Sequence, residues 1–195
     1  MGYSLHVSCI DFRRLLTVPG SRDRKLLDAV QPDLEDLWDP EDFDDEDPPL
    51  AMPPEALEQI VNGQVPEEEW GGEPYYEALA AVYAHLGTDI GELHLSSHDM
   101  KHLQEVEDAL AGAGAKAPLS LQALVLRGAP IRVPSAEPFP SLGYLTPEEV
   151  AKASTQYDEL SLQGVPAGLR STIEQLGKWL KEAKERGHGL VGVLS

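Results

Sequence analysis

The chain has 195 residues, 34 acids against 15 Lys or Arg, and a formal net charge of −19. That length suits one large domain or two small ones, and 42% apolar residues are enough for a packed core, which excludes global disorder. The charge argues against binding nucleic acid or an anionic membrane surface, and no run of ~18 apolar residues offers a membrane span. The opening MGYSLHVSCI lacks the basic and apolar regions of a secretory leader, and the single Cys9 cannot form an internal disulfide, so the expected compartment is the cytoplasm.

In chain order, residues 2–8 alternate, with Tyr3, Leu5 and Val7 on one face and Ser4, His6 and Ser8 on the other, which predicts a half-buried strand. Residues 9–16 read as a helix, TVPGS at 17–21 as a turn and 22–30 as a second short helix. Residues 31–54 hold six prolines and the run DPEDFDDEDPP, so regular structure is not expected there. Helix returns at 54–62, where Ala56, Leu57, Ile60 and Val61 share a face and Gly63 stops it. An acidic loop at 64–74 leads to a helix over 75–86 with Tyr76, Leu79, Ala80, Tyr83 and Leu86 inward.

Residues 88–95 read as a short strand or a connector. Ser97 caps a helix running to Ala111 with Leu103, Val106 and Leu110 inward, and GAGAKAP at 112–118 breaks it. Leu119 to Leu126 is apolar and of either type, and 128–143 reads as a Pro-rich loop. Thr146-Pro147-Glu148-Glu149 is a capping box, opening a helix to about Leu162. A last helix spans 169–186 with Leu169, Ile173, Leu176, Leu180 and Ala183 inward, and Leu190 to Leu194 forms a buried strand. Strands at both ends with helices between predict an α+β fold. Residues 1–195 form a single domain whose small sheet joins the termini, with an acidic loop at about 31–54.

The first strand Met1-Gly2-Tyr3-Ser4-Leu5, the phrase Gly143-Tyr144-Leu145-Thr146-Pro147-Glu148-Glu149-Val150 and the passage from Lys184-Glu185-Arg186-Gly187 into Leu190-Val191-Gly192-Val193 resemble the YfbM-like group of uncharacterised bacterial proteins. The likeness covers the first 15 and last 55 residues or so. It implies a compact α+β domain in a bacterial cytosol, and it brings no established activity and no catalytic residues. The long acidic middle departs from that group.

The charge is concentrated. Residues 1–25 hold five bases and two acids, residues 26–100 hold 21 acids and no Lys or Arg, and residues 101–195 hold ten bases and 11 acids. The middle block reads either as a solvated loop or as a docking surface for a basic partner. The candidate contact residues are Trp38, Asp39, Glu41, Asp42, Phe43, Asp44, Asp45, Glu46 and Asp47, with Trp38 and Phe43 either anchoring a partner or pinning the loop to the core.

Other chemistry is thinner. His94, His98 and His102 recur every four residues, and His98 with His102 shares a helix face with Glu105, a weak metal set, because HEXXH is not met and Lys101 stands beside the pair. Asp42, Asp44 and Glu46 alternate as in a calcium loop, but Asp47 and Pro53 replace the required Gly and Glu. Gly112 to Lys116 misses the phosphate-loop spacing. Cys9 reads as a buried structural thiol, or else as a nucleophile near a helix start with His6 or His188.

Two functions of different classes follow. The first is a cytosolic binding protein, an inhibitor or immunity protein that docks a basic partner such as a nuclease toxin, with no cofactor. The second is a metal-dependent hydrolase using His98 and His102. A protein with a merely solvated acidic loop is the third reading.

Overall fold

The computed structural model describes residues 2–35, 37, 50–96, 100–136 and 140–195. These form eight α-helices and one four-stranded antiparallel sheet, an α+β architecture. The strands are β1 (Gly2–Ile10), β2 (Thr88–Ser96), β3 (Ser141–Leu145) and β4 (Gly189–Leu194), in the order β2-β1-β4-β3. The terminal strands are neighbours: Leu5 faces Leu194 and Cys9 faces Leu190.

Two strands depart from the sequence expectation. β1 runs on through Cys9 and Ile10 instead of turning helical at residue 9, because both residues pair with β4. The helix signal is Asp11, whose carboxylate accepts the Arg13 backbone N–H at 2.9 Å and caps α1 (Phe12–Leu15). β3 begins within the last residues of the stretch read as a Pro-rich loop and runs past it. Its Gly143 sits opposite Gly192 of β4. A Cβ at either would come within 2.2 Å of the carbonyl oxygen of Ala123 or 2.1 Å of that of Leu124, respectively. This glycine pair lets α6 (Ala123–Leu126) lie directly on the sheet.

The remaining helices are α2 (Arg24–Val30), α3 (Pro53–Asn62), α4 (Glu73–Leu86), α5 (Met100–Gly112), α7 (Pro147–Glu159) and α8 (Ala167–Arg186). The capping box at Thr146 is formed: the Glu149 backbone N–H donates to Thr146 Oγ1 at 3.3 Å, and the Thr146 N–H donates to the Glu149 carboxylate at 2.9 Å. α7 ends at Glu159 rather than Leu162, because Leu160 turns to extended backbone. α3 stops at Gly63 in the left-handed region (φ 70°), as expected of a helix-ending glycine.

Two apolar clusters lie on the two faces of the sheet. On one, Leu5, Val7, Cys9, Leu190 and Leu194 pack with Leu103, Val106, Leu124, Val150, Leu176, Trp179 and Leu180, from helices α5 to α8. On the other, Ile10, Leu142 and Val191 pack with Leu15, Leu27, Leu57, Ile60, Leu79 and Val82, from α1 to α4. The second face is covered only in part, and its remainder carries the exposed side chains of His6, Glu92 and His94. Among the described residues no helix is long and apolar enough to cross a membrane.

Candidate functional site

The acidic block contributes α3, α4 and β2, and the most exposed large apolar group among its described residues is Trp70. Three-fifths of Trp70 is open to solvent, and it follows Glu67, Glu68 and Glu69, all exposed. Its backbone is nonetheless fixed. Trp70 bridges in parallel to Ser135, whose N–H donates to the Glu69 carbonyl at 2.9 Å, while the Gly72 N–H donates to the Ser135 carbonyl at 2.9 Å. The two glycines that follow are there for different reasons. Gly71 has φ +79°, which favours a residue without a Cβ. Gly72 has ordinary backbone, but a Cβ there would sit 2.1 Å from the Pro134 carbonyl oxygen. Leu50, two-fifths exposed, lies against Gly71 and extends the apolar patch beside Trp70.

The local field is negative. Tyr75, one turn into α4, donates a hydrogen bond to Gln59. Burial first, then the negative charges of Glu55 and Glu68, push its phenol up to about 12. Glu68, two residues before Trp70, is one of the charges that reach this phenol.

The open part of the sheet carries a second polar constellation. Cross-strand pairing sets Ser4 opposite His94 and His6 opposite Glu92. His94 Nε2 lies 3.0 Å from Glu92 Oε1, so in the neutral ring it is this nitrogen that donates, and Nδ1 accepts from Ser4 Oγ at 2.9 Å. His6 Nδ1 lies 3.6 Å from the other Glu92 oxygen. The order hydroxyl, imidazole, carboxylate is that of a nucleophilic relay. But the His94 side chain is three-quarters exposed, and water screens each link. The geometry is that of a surface ladder of cross-strand pairs.

A family model described as a domain of unknown function, DUF7691, matches residues 1–195. The chain belongs to the DUF7691 family. No curated protein matches it, and no solved structure does.

The sequence candidates fare unevenly on this DUF7691 fold. Trp38, Asp39, Glu41, Asp42, Phe43, Asp44, Asp45, Glu46 and Asp47 lie outside the described residues, as does His98. The next described residue, Leu50, lies against Gly71. Of the weak metal set, His102 Nε2 is 3.3 Å from Thr172 Oγ1 of α8, and Glu105 pairs with Lys101 at 3.5 Å. Each is engaged by a neighbour, and among the described residues no three His, Cys, Asp or Glu side chains are grouped to hold a metal ion. Cys9 is the buried thiol of the first reading rather than the nucleophile of the second. Cys9 is buried within β1 on the face opposite His6, and burial pushes its thiol pKa up. Sequence reasoning passed over Trp70, although the signal was present in Glu-Glu-Glu-Trp-Gly-Gly: a large aromatic among charges, followed by two glycines that fix a turn. The Ser4, His6, Glu92 and His94 ladder is likewise hidden, because 88–95 reads as strand or connector and a strand without a partner has no register.

Proposed function

We propose that this chain is an acidic binding protein that docks a basic protein partner, in the manner of an inhibitor or immunity protein facing a basic enzyme such as a nuclease toxin. The observation that carries the reading is Trp70, exposed beside three exposed glutamates on a backbone pinned to Ser135. Exposed tryptophan is costly to leave in water and is over-represented among residues that dominate binding energy. A fixed backbone lowers the ordering cost of using it. Neighbouring carboxylates steer a basic surface toward it and speed encounter. An Arg or Lys from the partner would meet both the indole face and the carboxylates.

The test starts with capture from the native host lysate at low salt, followed by kinetics on the purified partner. Trp70→Ala is expected to raise the dissociation rate and cost about 2 kcal/mol or more. Neutralising Glu67, Glu68 and Glu69 to Gln is expected chiefly to slow association and flatten its salt dependence. A captured partner that is not basic, or one whose binding ignores both Trp70 and salt, removes the reading.

A further inference from the structure

Beside the polar ladder, α4 leans over the uncovered part of the sheet and leaves a cleft of about 350 Å³. That is within the range of small-molecule sites. His6 and Ser8 of β1 and Val193 of β4 line its sheet side, and Glu77, Ala80 and Ala84 line its helix side. Asp89 of β2 also lines it.

Two of its polar groups lack partners. Glu77 is half-buried and, among the described residues, its side chain makes no hydrogen bond and no ion pair. Tyr83, only 1% exposed, lines the same cleft, and its hydroxyl is buried without a hydrogen-bond partner. Buried polar groups are ordinarily satisfied, so the Tyr83 hydroxyl asks for an explanation, while the half-buried Glu77 carboxylate still meets solvent. No Lys or Arg lines the cleft.

We infer that this cleft is a binding site for a small organic cation, an amine or guanidine on a short apolar stem. The cation would pair with the Glu77 carboxylate. Asp89 offers a second carboxylate, one oxygen of which already accepts the Gly91 N–H at 2.8 Å. Ala80, Ala84 and Val193 give the stem an apolar wall. Desolvation of Glu77, which pushes its carboxyl pKa up, is the cost an arriving cation relieves. This site is separate from the Trp70 surface and stands or falls independently of it.

The experiment is an amide NMR titration of the full chain near neutral pH with n-butylammonium, agmatine and, as the neutral isostere, n-butanol. Saturable shifts are expected at His6, Ser8, Asp89 and along Glu77 to Ala84 with the two cations. n-Butanol is expected to bind roughly tenfold more weakly or worse, because it lacks the charge-assisted contact. Glu77→Gln, which keeps size and fold, is expected to weaken cation binding roughly tenfold or more while its thermal midpoint stays level or rises. The inference is overturned if millimolar amine gives no saturable shift, if the shifts fall elsewhere, if n-butanol binds as well as n-butylammonium, or if Glu77→Gln binds like the parent.

Discussion

Leu5 and His6 are consecutive residues of β1, yet Leu5 is fully sealed and His6 is exposed. The same alternation runs through β4, where Leu190 and Leu194 face α5 to α8 while Val191 and Val193 face the other way. One face of the sheet is closed by helices along its length. The other is closed only where Ile10, Leu142 and Val191 offer an apolar floor. Where Ser4, His6, Glu92 and His94 replace apolar residues, burial would cost more than it returns, and the helices stop short. The closed face holds the fold together, and the open one leaves polar groups and a cleft available to ligands.

The largest expected effect comes from removing the strand that both faces share. β4 lies between β1 and β3, so deletion of residues 189–195 strips hydrogen bonds from both neighbours and apolar residues from both clusters. We expect no cooperative thermal transition. A shortened chain that melts like the full one would show that the two clusters do not depend on a common sheet.

Next in size are changes confined to the closed face. Trp179 is 1% exposed, and its indole N–H donates to the Ile90 carbonyl at 3.1 Å. Trp179→Ala should cost about 3–5 kcal/mol in urea unfolding. Gly192→Ala tests the close approach of α6 in the opposite sense, by adding an atom. Its Cβ would meet the Leu124 carbonyl oxygen at 2.1 Å, which no rotamer change relieves. We expect a loss of about 3 kcal/mol. A near-neutral Gly192→Ala would mean that α6 moves freely over the sheet.

How far the sequence reveals this contrast depends on the kind of signal. Alternation in 2–8 and the apolar run 190–194 identify the terminal strands, and Leu103, Val106 and Leu110 identify the buried face of α5, because periodicity is a local property. The Thr146 capping box is equally local, since donor and acceptor are three residues apart. β3 is not local. Its five residues follow a Pro-rich stretch, and only pairing with β4 makes them a strand. The open face is invisible for the same reason. Ser4 and His94 are ninety residues apart, and their 2.9 Å contact exists only once β1 and β2 are in register. Glu77 reads as one more acid on a helix until the cleft beside it is seen.

A smaller effect is expected at the edge of the closed face, and it carries a pH signature. Glu149 serves the capping box and also accepts from Arg127 at 2.7 Å, while the Arg127 guanidinium lies 4.1 Å from the centre of the Tyr144 ring. Burial alone would raise the Glu149 carboxyl. The Arg127 and Thr146 hydrogen bonds outweigh it and hold the pKa below the usual range. A depressed folded pKa contributes stability above the unfolded carboxylate pKa and loses it as pH falls through the folded one. Glu149→Gln keeps the capping geometry and removes the charge. We expect it to cost about 1 kcal/mol near neutral pH, with the gap to the parent closing as the solution is acidified below the ordinary glutamate range. A gap that is constant with pH would assign the loss to packing instead.

The smallest expected effects belong to the open face and are the sharpest check on the contrast. His6, Glu92 and His94 have side chains 46–75% exposed, so each already meets water in the folded chain. Removing an exposed side chain leaves no cavity and no orphaned buried group, and its ion pair is screened. His6→Ala and His94→Ala should therefore each change stability by no more than about 0.5 kcal/mol. Leu5→Ala, one residue away on the same strand, should cost about 2–5 kcal/mol because it opens a hole under α8. A double-mutant cycle on Glu92 and His94, 3.0 Å apart, should give a coupling below about 0.5 kcal/mol. If His6→Ala matched Leu5→Ala, or if the cycle gave several times that coupling, the ladder would be part of what holds the sheet. The open face would then be structural, and the reason for leaving it uncovered would have to be sought elsewhere in the chain.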